Sequence, residues 1–457
     1  MLRVQVHLSP EATPAHACSL DTLDQAGFGV PCRYTAEAGD TLSLDVPAVN
    51  GTWRGIITAD GNTLTGSWTQ GGLPLRLVLA RQAVAIERPR VAIDAAIPAV
   101  DVASLREVMD ADMAAALDRG ELAPKTGGGV AIGVIEHGAR RVFVYGAVKP
   151  DSVFEIGSIT KTFTALILAQ MAAKKQVRLN EPVRELLPPG TVEKPAGEGE
   201  VTLLDLSDQH SGLPRMPDNF HPADPTNPYA DYDEKALYAW LKSHGVALAP
   251  NAPFGYSNVG VGLLGSALAH RAGVTYEALL KQQVTQPLGM RDTAITLTSS
   301  MRARLAPGHD PSHAPARGWE LDALAGAGAI RSTAADMLTY LDAQLHPERL
   351  PRSVSLVAAG RTLRSAITDS HVVHADAGPG MHIALNWMRV DETGSYWHNG
   401  ATGGYSADAI FSPVRDFAVI VLSNTAPGAD DFADAVAKHV VQRLSGQPAV
   451  SLAPLSK

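Results

Sequence analysis

The chain has 457 residues, 45% of them hydrophobic and 19% charged, with a formal net charge of −9. That length exceeds what one compact core fills, so two or three folding units are expected. The acidic balance, with no Lys/Arg run, argues against nucleic acid or an anionic membrane as partner, because both demand clustered positive charge.

Met1–Leu8 alternates like a strand and lacks the apolar core of a signal peptide. The most apolar helix-like stretch, Phe163 to Ala173, is about half the length that spans a bilayer, so no membrane span is expected. The protein is expected to be cytoplasmic, or periplasmic or secreted if an export signal lies outside this sequence. Alternation continues in Leu2–Leu8, Thr41–Val46, Trp53–Thr58, Thr63–Trp68 and Leu75–Leu79, with turn residues at Asp60-Gly-Asn62 and Gly71-Gly72. Residues 1–86 therefore read as a small antiparallel sheet or barrel, an accessory unit without catalytic equipment. Its two cysteines, Cys18 and Cys32, are expected to be buried free thiols; a disulfide, the alternative, would indicate an exported protein.

Residues 87–100 read as a linker. A helix follows from Ser104, which with Glu107 forms a capping box, and Gly120 ends it. Strands are predicted at Val130–Ile135 and Arg141–Tyr145, joined by a His137-Gly138 turn, and a strongly apolar helix runs from Ser158 to Ala173. The middle of the chain predicts helices at Asp233–Ser243, Val259–Ala272, Tyr276–Gln283 and Thr333–Leu345, with Pro214–Asp233 the clearest loop. Strands return at Ile383–Val390, Ser406–Phe411 and Phe417–Leu422, and the helix Asp430–Leu444 closes the unit. Strands at both ends with helices between predict one α/β domain over 101–447 with an inserted helical lobe, then a tail at 448–457.

Three clusters in this domain carry chemistry. In Ser158-Ile-Thr-Lys161 a helix places the lysine one turn beyond the serine on the same face. Serine needs a proton acceptor to become a nucleophile, and a buried lysine of lowered pKa supplies one. At a helix start the developing oxyanion also meets free amides and the positive end of the helix dipole. Ser-x-x-Lys alone arises by chance about once in a chain this long, so the partners decide. In Tyr256-Ser-Asn258 the tyrosine can serve as, or share, the general base, while Asn258 can hydrogen-bond Lys161 and a substrate carbonyl. His398-Asn-Gly400 runs into Ala401-Thr-Gly-Gly-Tyr405, a glycine-rich strand edge that an extended substrate can approach. There the Ala401 amide can join that of Ser158 as an oxyanion hole.

In this order the clusters resemble the three motifs of the serine β-lactamase and penicillin-binding-protein superfamily. Tyr-x-Asn is similar to the class C β-lactamase branch. His210-Ser-Gly-Leu-Pro214 and Gly326-Ala-Gly-Ala-Ile-Arg-Ser-Thr333 are similar to two further family segments, and the likeness covers roughly 100–445. It implies an antiparallel sheet flanked by helices plus an inserted all-α lobe, with no cofactor and no metal. It also implies Ser158 as the acylated nucleophile, Lys161 as proton acceptor, Tyr256 as base, and Asn258, His398, Gly400 and Ala401 in substrate binding. Residues 1–82 resemble a small β-domain sometimes fused to such hydrolases.

One position departs from the pattern. The lactamase and DD-peptidase motif has lysine where this chain has His398, and histidine is mostly neutral at pH 7. It is the variant of members resembling family VIII carboxylesterases and D-amino-acid peptidases or amidases. The resemblance thus implies a serine hydrolase of small carboxylic esters, with weak β-lactamase activity. Alternatives are a D-amino-acid peptidase or amidase, a DD-peptidase-like enzyme, a class C-type β-lactamase, and a penicillin-binding sensor that turns over slowly. The expected partner is a small-molecule ester, amide or β-lactam; oligomeric state is left open. No Gly-x-Ser-x-Gly elbow supports a Ser-His-Asp hydrolase. His309-Asp310-x-x-His313 and His371-x-x-His374 lack the usual zinc pattern.

Overall fold

The computed structural model describes residues 4–8, 16–22, 27–36, 40–46, 51–70, 73–81, 92–117, 119–197, 199–249, 251–350, 357–428 and 431–453. The Gly71-Gly72 turn, the first residues of the Leu2–Leu8 strand and most of the 87–100 linker's first half lie outside them.

Period-two alternation builds the N-terminal sheet. Its strands are β1 (Val4–Leu8), β2 (His16–Thr22), β3 (Gly27–Ala36), β4 (Thr41–Val46), β5 (Gly51–Ile57), β6 (Thr63–Gln70) and β7 (Leu73–Ala80). Each pairs antiparallel with the next in sequence. Leu42, Leu44 and Val46 of β4 project from one face and bury against Leu20, Trp53 and the two cysteines, a core of its own. Cys18 and Cys32 are direct partners across β2 and β3 and are joined by a disulfide. This corrects the free-thiol expectation: facing positions on neighbouring strands put both side chains on one face at bonding distance.

The second sheet joins the two ends of the remaining chain. Its strands are β8 (Gly129–Glu136), β9 (Ala139–Gly146), β10 (Ala375–Gly378), β11 (Met381–Ile383), β12 (Met388–Val390), β13 (Tyr396–Ala401), β14 (Ser406–Ser412) and β15 (Phe417–Ser423). They lie in the order β9-β8-β15-β14-β13-β12-β11-β10, antiparallel throughout. His137 and Gly138, at φ of 48° and 80°, make the tight β8–β9 turn.

The longer helices among the described residues are α1 (Leu105–Ala114), α2 (Thr160–Ala173), α3 (Glu234–His244), α4 (Asn258–Ala272), α5 (Ala334–Leu345), α6 (Val357–Ser370) and α7 (Phe432–Leu444). Alternation along β8 divides the sheet between two cores. Val130, Ile132 and Val134 bury against Leu105, Met109 and Val436 of α1 and α7. Ala131 and Ile135 belong to the larger cluster with Phe163 of α2 and Leu338 of α5.

Five local expectations change. Ser104 makes no capping bond, because its own backbone is already helical; the Asp101 carboxylate accepts the Ser104 amide instead at 2.8 Å. Ile383–Val390 is two strands, β11 and β12, broken where Asn386 turns at φ 55°. The Tyr276 helix leaves α geometry at Leu280 for a π turn over Lys281–Thr285. The inserted stretch holds two small ribbons, Phe154–Glu155 with Arg331–Ser332 and Gly308–His309 with Pro315–Ala316. Ile93–Asp94 also pairs with Ala449–Val450, so the stretches expected as linker and tail clasp each other. No helix among the described residues is long and apolar enough to cross a membrane.

Candidate active site

A short 3-10 turn, Gly157–Ile159, carries Ser158 into the start of α2. Every side chain from Thr160 to Met171 is buried, as expected of a helix apolar on nearly all sides. Lys161, in the first turn, is drawn into that interior and is 0% exposed. Its Nζ lies 3.0 Å from Ser158 Oγ and donates to the Ala327 carbonyl at 2.8 Å. Burial pushes the Lys161 amine well below the ordinary lysine range, and the Arg215 charge acts in the same direction. The Ala327 carbonyl reaches Lys161 because α4 and the Ala325–Gly328 turn meet glycine to glycine. A Cβ on Gly265 would stand 2.9 Å from Gly326 Cα. Thr164, one turn beyond Lys161, donates to the Gly326 carbonyl at 2.7 Å and holds the same segment.

The Tyr256–Asn258 cluster enters α4, and the cap of that helix is Ser257. Ser257 Oγ accepts the Gly260 amide at 2.8 Å and donates to the Pro214 carbonyl at 2.7 Å. Buried Gln209 accepts the Ser257 amide at 2.8 Å and donates to Asn386 Oδ1 at 2.8 Å. The Arg215 carbonyl accepts the Asn258 amide at 3.0 Å. The Ser-Gly-Leu-Pro segment is thus a bracket for the second motif. Lys161 Nζ and Arg215 Cζ stand 4.9 and 5.2 Å from the Tyr256 ring centroid. Tyr256 is only partly buried, yet enclosure by protein pushes its phenol up to about 12, with the Ser158 hydroxyl and Arg215 pulling the other way. The resting side chain is therefore a phenol at neutral pH. Asn258 does not join Lys161; its amide donates to Met216 Sδ at 3.8 Å.

The third cluster lies on β13. That strand pairs with β14 along its whole length, but β12 reaches only Tyr396 and Trp397. Residues 398–401 therefore have one free edge, and the Ile156–Ser158 backbone lies against it. A Cβ on Gly400 would meet the Ile156 carbonyl at 2.0 Å and the Ser158 amide at 3.0 Å. Gly157, at φ +49°, would put a Cβ 2.6 Å from the Ala401 amide nitrogen. Glycine at both positions brings the Ser158 and Ala401 backbones into contact.

His398 is 4% exposed and its ring centroid lies 6.2 Å from that of Tyr256. Its Nδ1 is 2.6 Å from the Asn399 carbonyl, which can only accept, so Nδ1 holds the proton and Nε2 keeps its lone pair. Burial lowers His398 to about 3, with the neighbouring Lys161 acting in the same direction and the Asn399 bond opposing it. The imidazole is neutral.

These groups open on a cavity of about 610 Å³ lined by Ser158, Tyr256, Asn258, Gly400 and Ala401. Lys161 and His398 stand behind its wall. The lining side chains that sequence reasoning missed include Arg215, Tyr229 and Trp319. Arg215 directly follows the Ser-Gly-Leu-Pro segment, which was a signal in reach. Trp319 is held by buried Glu155, whose carboxylate accepts the Trp319 amide at 3.1 Å and the Arg331 guanidinium at 2.9 Å. Among the described residues no group of three or more His, Cys, Asp or Glu is placed to hold a metal ion. His309 Nδ1 faces the Asn424 carbonyl and His371 Nε2 faces Gln344.

Residues 115–443 match the family model described as Beta-lactamase. The chain belongs to the β-lactamase family. Its relatives include a Pseudomonas fluorescens protein named beta-lactamase, 26% identical over 70% of this chain and 93% of that protein. A Yersinia enterocolitica beta-lactamase is 28% identical over 65% of this chain and 82% of its own. AmpH of Escherichia coli K12, a D-alanyl-D-alanine-carboxypeptidase/endopeptidase, is 27% identical over 65% of this chain and 80% of its own. This β-lactamase-family protein is thus one of a superfamily of serine hydrolases. Its seven-stranded N-terminal sheet lies outside the matched span.

Proposed function

We propose that the protein hydrolyses small carboxylic esters through an acyl-enzyme on Ser158. The observation that carries this reading is the wholly buried Lys161 amine, 3.0 Å from Ser158 Oγ and tethered to a main-chain carbonyl. A desolvated, neutral amine takes the Ser158 proton as Oγ attacks the substrate carbonyl. The Ser158 and Ala401 amides stabilise the resulting oxyanion. Tyr256 then gives its phenol proton to the departing alkoxide and is reprotonated by the Lys161 ammonium. In deacylation water adds to the acyl carbonyl while Tyr256, relaying to Lys161, takes its proton; collapse returns a proton to Ser158.

Esters are favoured over β-lactams because His398, where the family pattern has lysine, is buried and neutral. D-aminoacyl amide hydrolysis is the second reading, favoured by the relative named D-alanyl-D-alanine-carboxypeptidase/endopeptidase. The disulfide between Cys18 and Cys32 favours an oxidising, exported location. Initial rates on a panel of esters, β-lactams and D-aminoacyl amides, with Ser158→Ala alongside, test this reading. Ester turnover lost in Ser158→Ala supports it; faster β-lactam than ester turnover overturns the ester preference.

A further inference from the structure

Among the described residues that line the cleft, Arg215 is the one with a charged side chain. It is exposed, and no carboxylate among the described residues lies within ion-pair distance of it. Its position is nonetheless fixed. The Arg215 carbonyl accepts the Asn258 and Val259 amides at 3.0 and 3.3 Å, and the preceding Pro214 carbonyl accepts Ser257 Oγ at 2.7 Å. The guanidinium carbon stands 5.2 Å from the Tyr256 ring centroid, beside the group placed to handle the leaving-group proton.

The surroundings make this cation more than a solvated surface charge. Other groups facing it are Tyr229 and Tyr256, both phenols, and Lys161, whose amine is enclosed behind the wall. His398 on β13 is neutral. Among the described residues no acid lines the cleft to balance the guanidinium. A concave site with one unbalanced charge concentrates ligands of the opposite sign, and guanidinium matches a carboxylate with two parallel donors.

We propose that Arg215 anchors a carboxylate carried by the substrate, so that the preferred substrates are anionic esters or amides. The anchor thereby lies on the loop that brackets Tyr256. This deepens the acyl-enzyme reading and rests on it for turnover, but not for binding.

The test uses two matched ester pairs. In one, a 4-nitrophenyl ester has a glutarate acyl chain or a neutral chain of equal length. In the other, an aryl acetate has a 3-carboxyphenyl or a phenyl leaving group. In at least one pair the wild-type kcat/KM for the carboxylate member exceeds that for the neutral member about 10- to 100-fold, the range of a charge-assisted hydrogen bond. Arg215→Met brings the ratio near one while leaving neutral-ester turnover measurable, Arg215→Lys keeps part of it, and added salt lowers it. No preference in either pair, or one that survives Arg215→Met, overturns the proposal. So does an equal fall for both members, which marks Arg215 as a support for Tyr256 only. Calorimetric titration of Ser158→Ala with the same esters needs no chemistry. Tighter carboxylate binding that Arg215→Met abolishes upholds the anchor even where the wild type hydrolyses no ester; equal binding overturns it. Failure of the neutral esters to acylate Ser158 counts against the hydrolase reading alone.

Discussion

Gly400 and Ile156 approach so closely that one methyl group on Gly400 would stand 2.0 Å from the Ile156 carbonyl oxygen. This contact locks the free edge of β13 to the turn that bears Ser158, and it sets the spacing of the two amides that the proposed mechanism assigns to the oxyanion. Gly400→Ala must push the two backbones apart. We expect kcat/KM to fall by about 100-fold or more, the scale of losing an oxyanion donor, at a stability cost of about 1–3 kcal/mol. Steady-state kinetics beside thermal unfolding checks this; a variant with near-native rate contradicts the placement of the hole.

In the proposed mechanism Lys161 sets the pH dependence. Burial holds its folded-state pKa far below the ordinary lysine value, and the amine must be neutral to accept the Ser158 proton. Activity is therefore absent below that folded pKa and rises as pH passes through it. It stays level into the alkaline range, because Tyr256 is raised to about 12. Stability carries the matching sign: between the depressed folded value and about 10.4 the unfolded chain binds a proton the folded chain does not, so wild-type stability rises with pH. Lys161→Met removes this term. The melting-temperature advantage of that inactive variant should shrink as pH rises, and a constant difference would refute the buried neutral amine.

A reader of the sequence could find the hairpin β8–β9, the helix after Ser158 and the order of the three motifs, because period and spacing survive in one dimension. The partner that tethers Lys161 could not be found. It is a main-chain carbonyl, Ala327, and carries no residue identity; a glycine contact between Gly265 and Gly326, distant in sequence, puts it there. Strand β3 was missed because Gly27, Gly29 and Pro31 interrupt its alternation, and with it went the register that faces Cys18 on β2 to Cys32. Asn386 split a predicted strand by adopting positive φ, which composition did not reveal.

Gln209 ties the second motif to the large sheet. It holds the Ser257 amide on one side and Asn386 on the other, itself 2% exposed. Gln209→Ala leaves a buried amide without a partner, so stability should fall by about 1–3 kcal/mol and kcat at least tenfold as Tyr256 loosens. Unchanged kcat would mean that the bracket supports the fold only.

His398→Lys restores a cation at the third motif. It should raise turnover of carboxylate-bearing β-lactams relative to neutral esters about tenfold, the worth of one charge-assisted hydrogen bond. An unchanged ratio counts against the argument that a neutral His398 disfavours β-lactams.

The Cys18–Cys32 bridge closes a segment of sequence separation 14, worth about 3 kcal/mol by loop-closure entropy. Reduction should lower the unfolding temperature of the N-terminal sheet and leave the initial rate on a neutral ester unchanged. Alkylation of both cysteines without reductant would contradict the pairing.

The central claim is acylation of Ser158, and intact-protein and peptide mass spectrometry after rapid quenching with an activated ester tests it most directly. The predicted result is one acyl adduct on the peptide containing Ser158, present in wild type and absent in Ser158→Ala. An adduct that persists in Ser158→Ala, or that maps to another nucleophile, would contradict it.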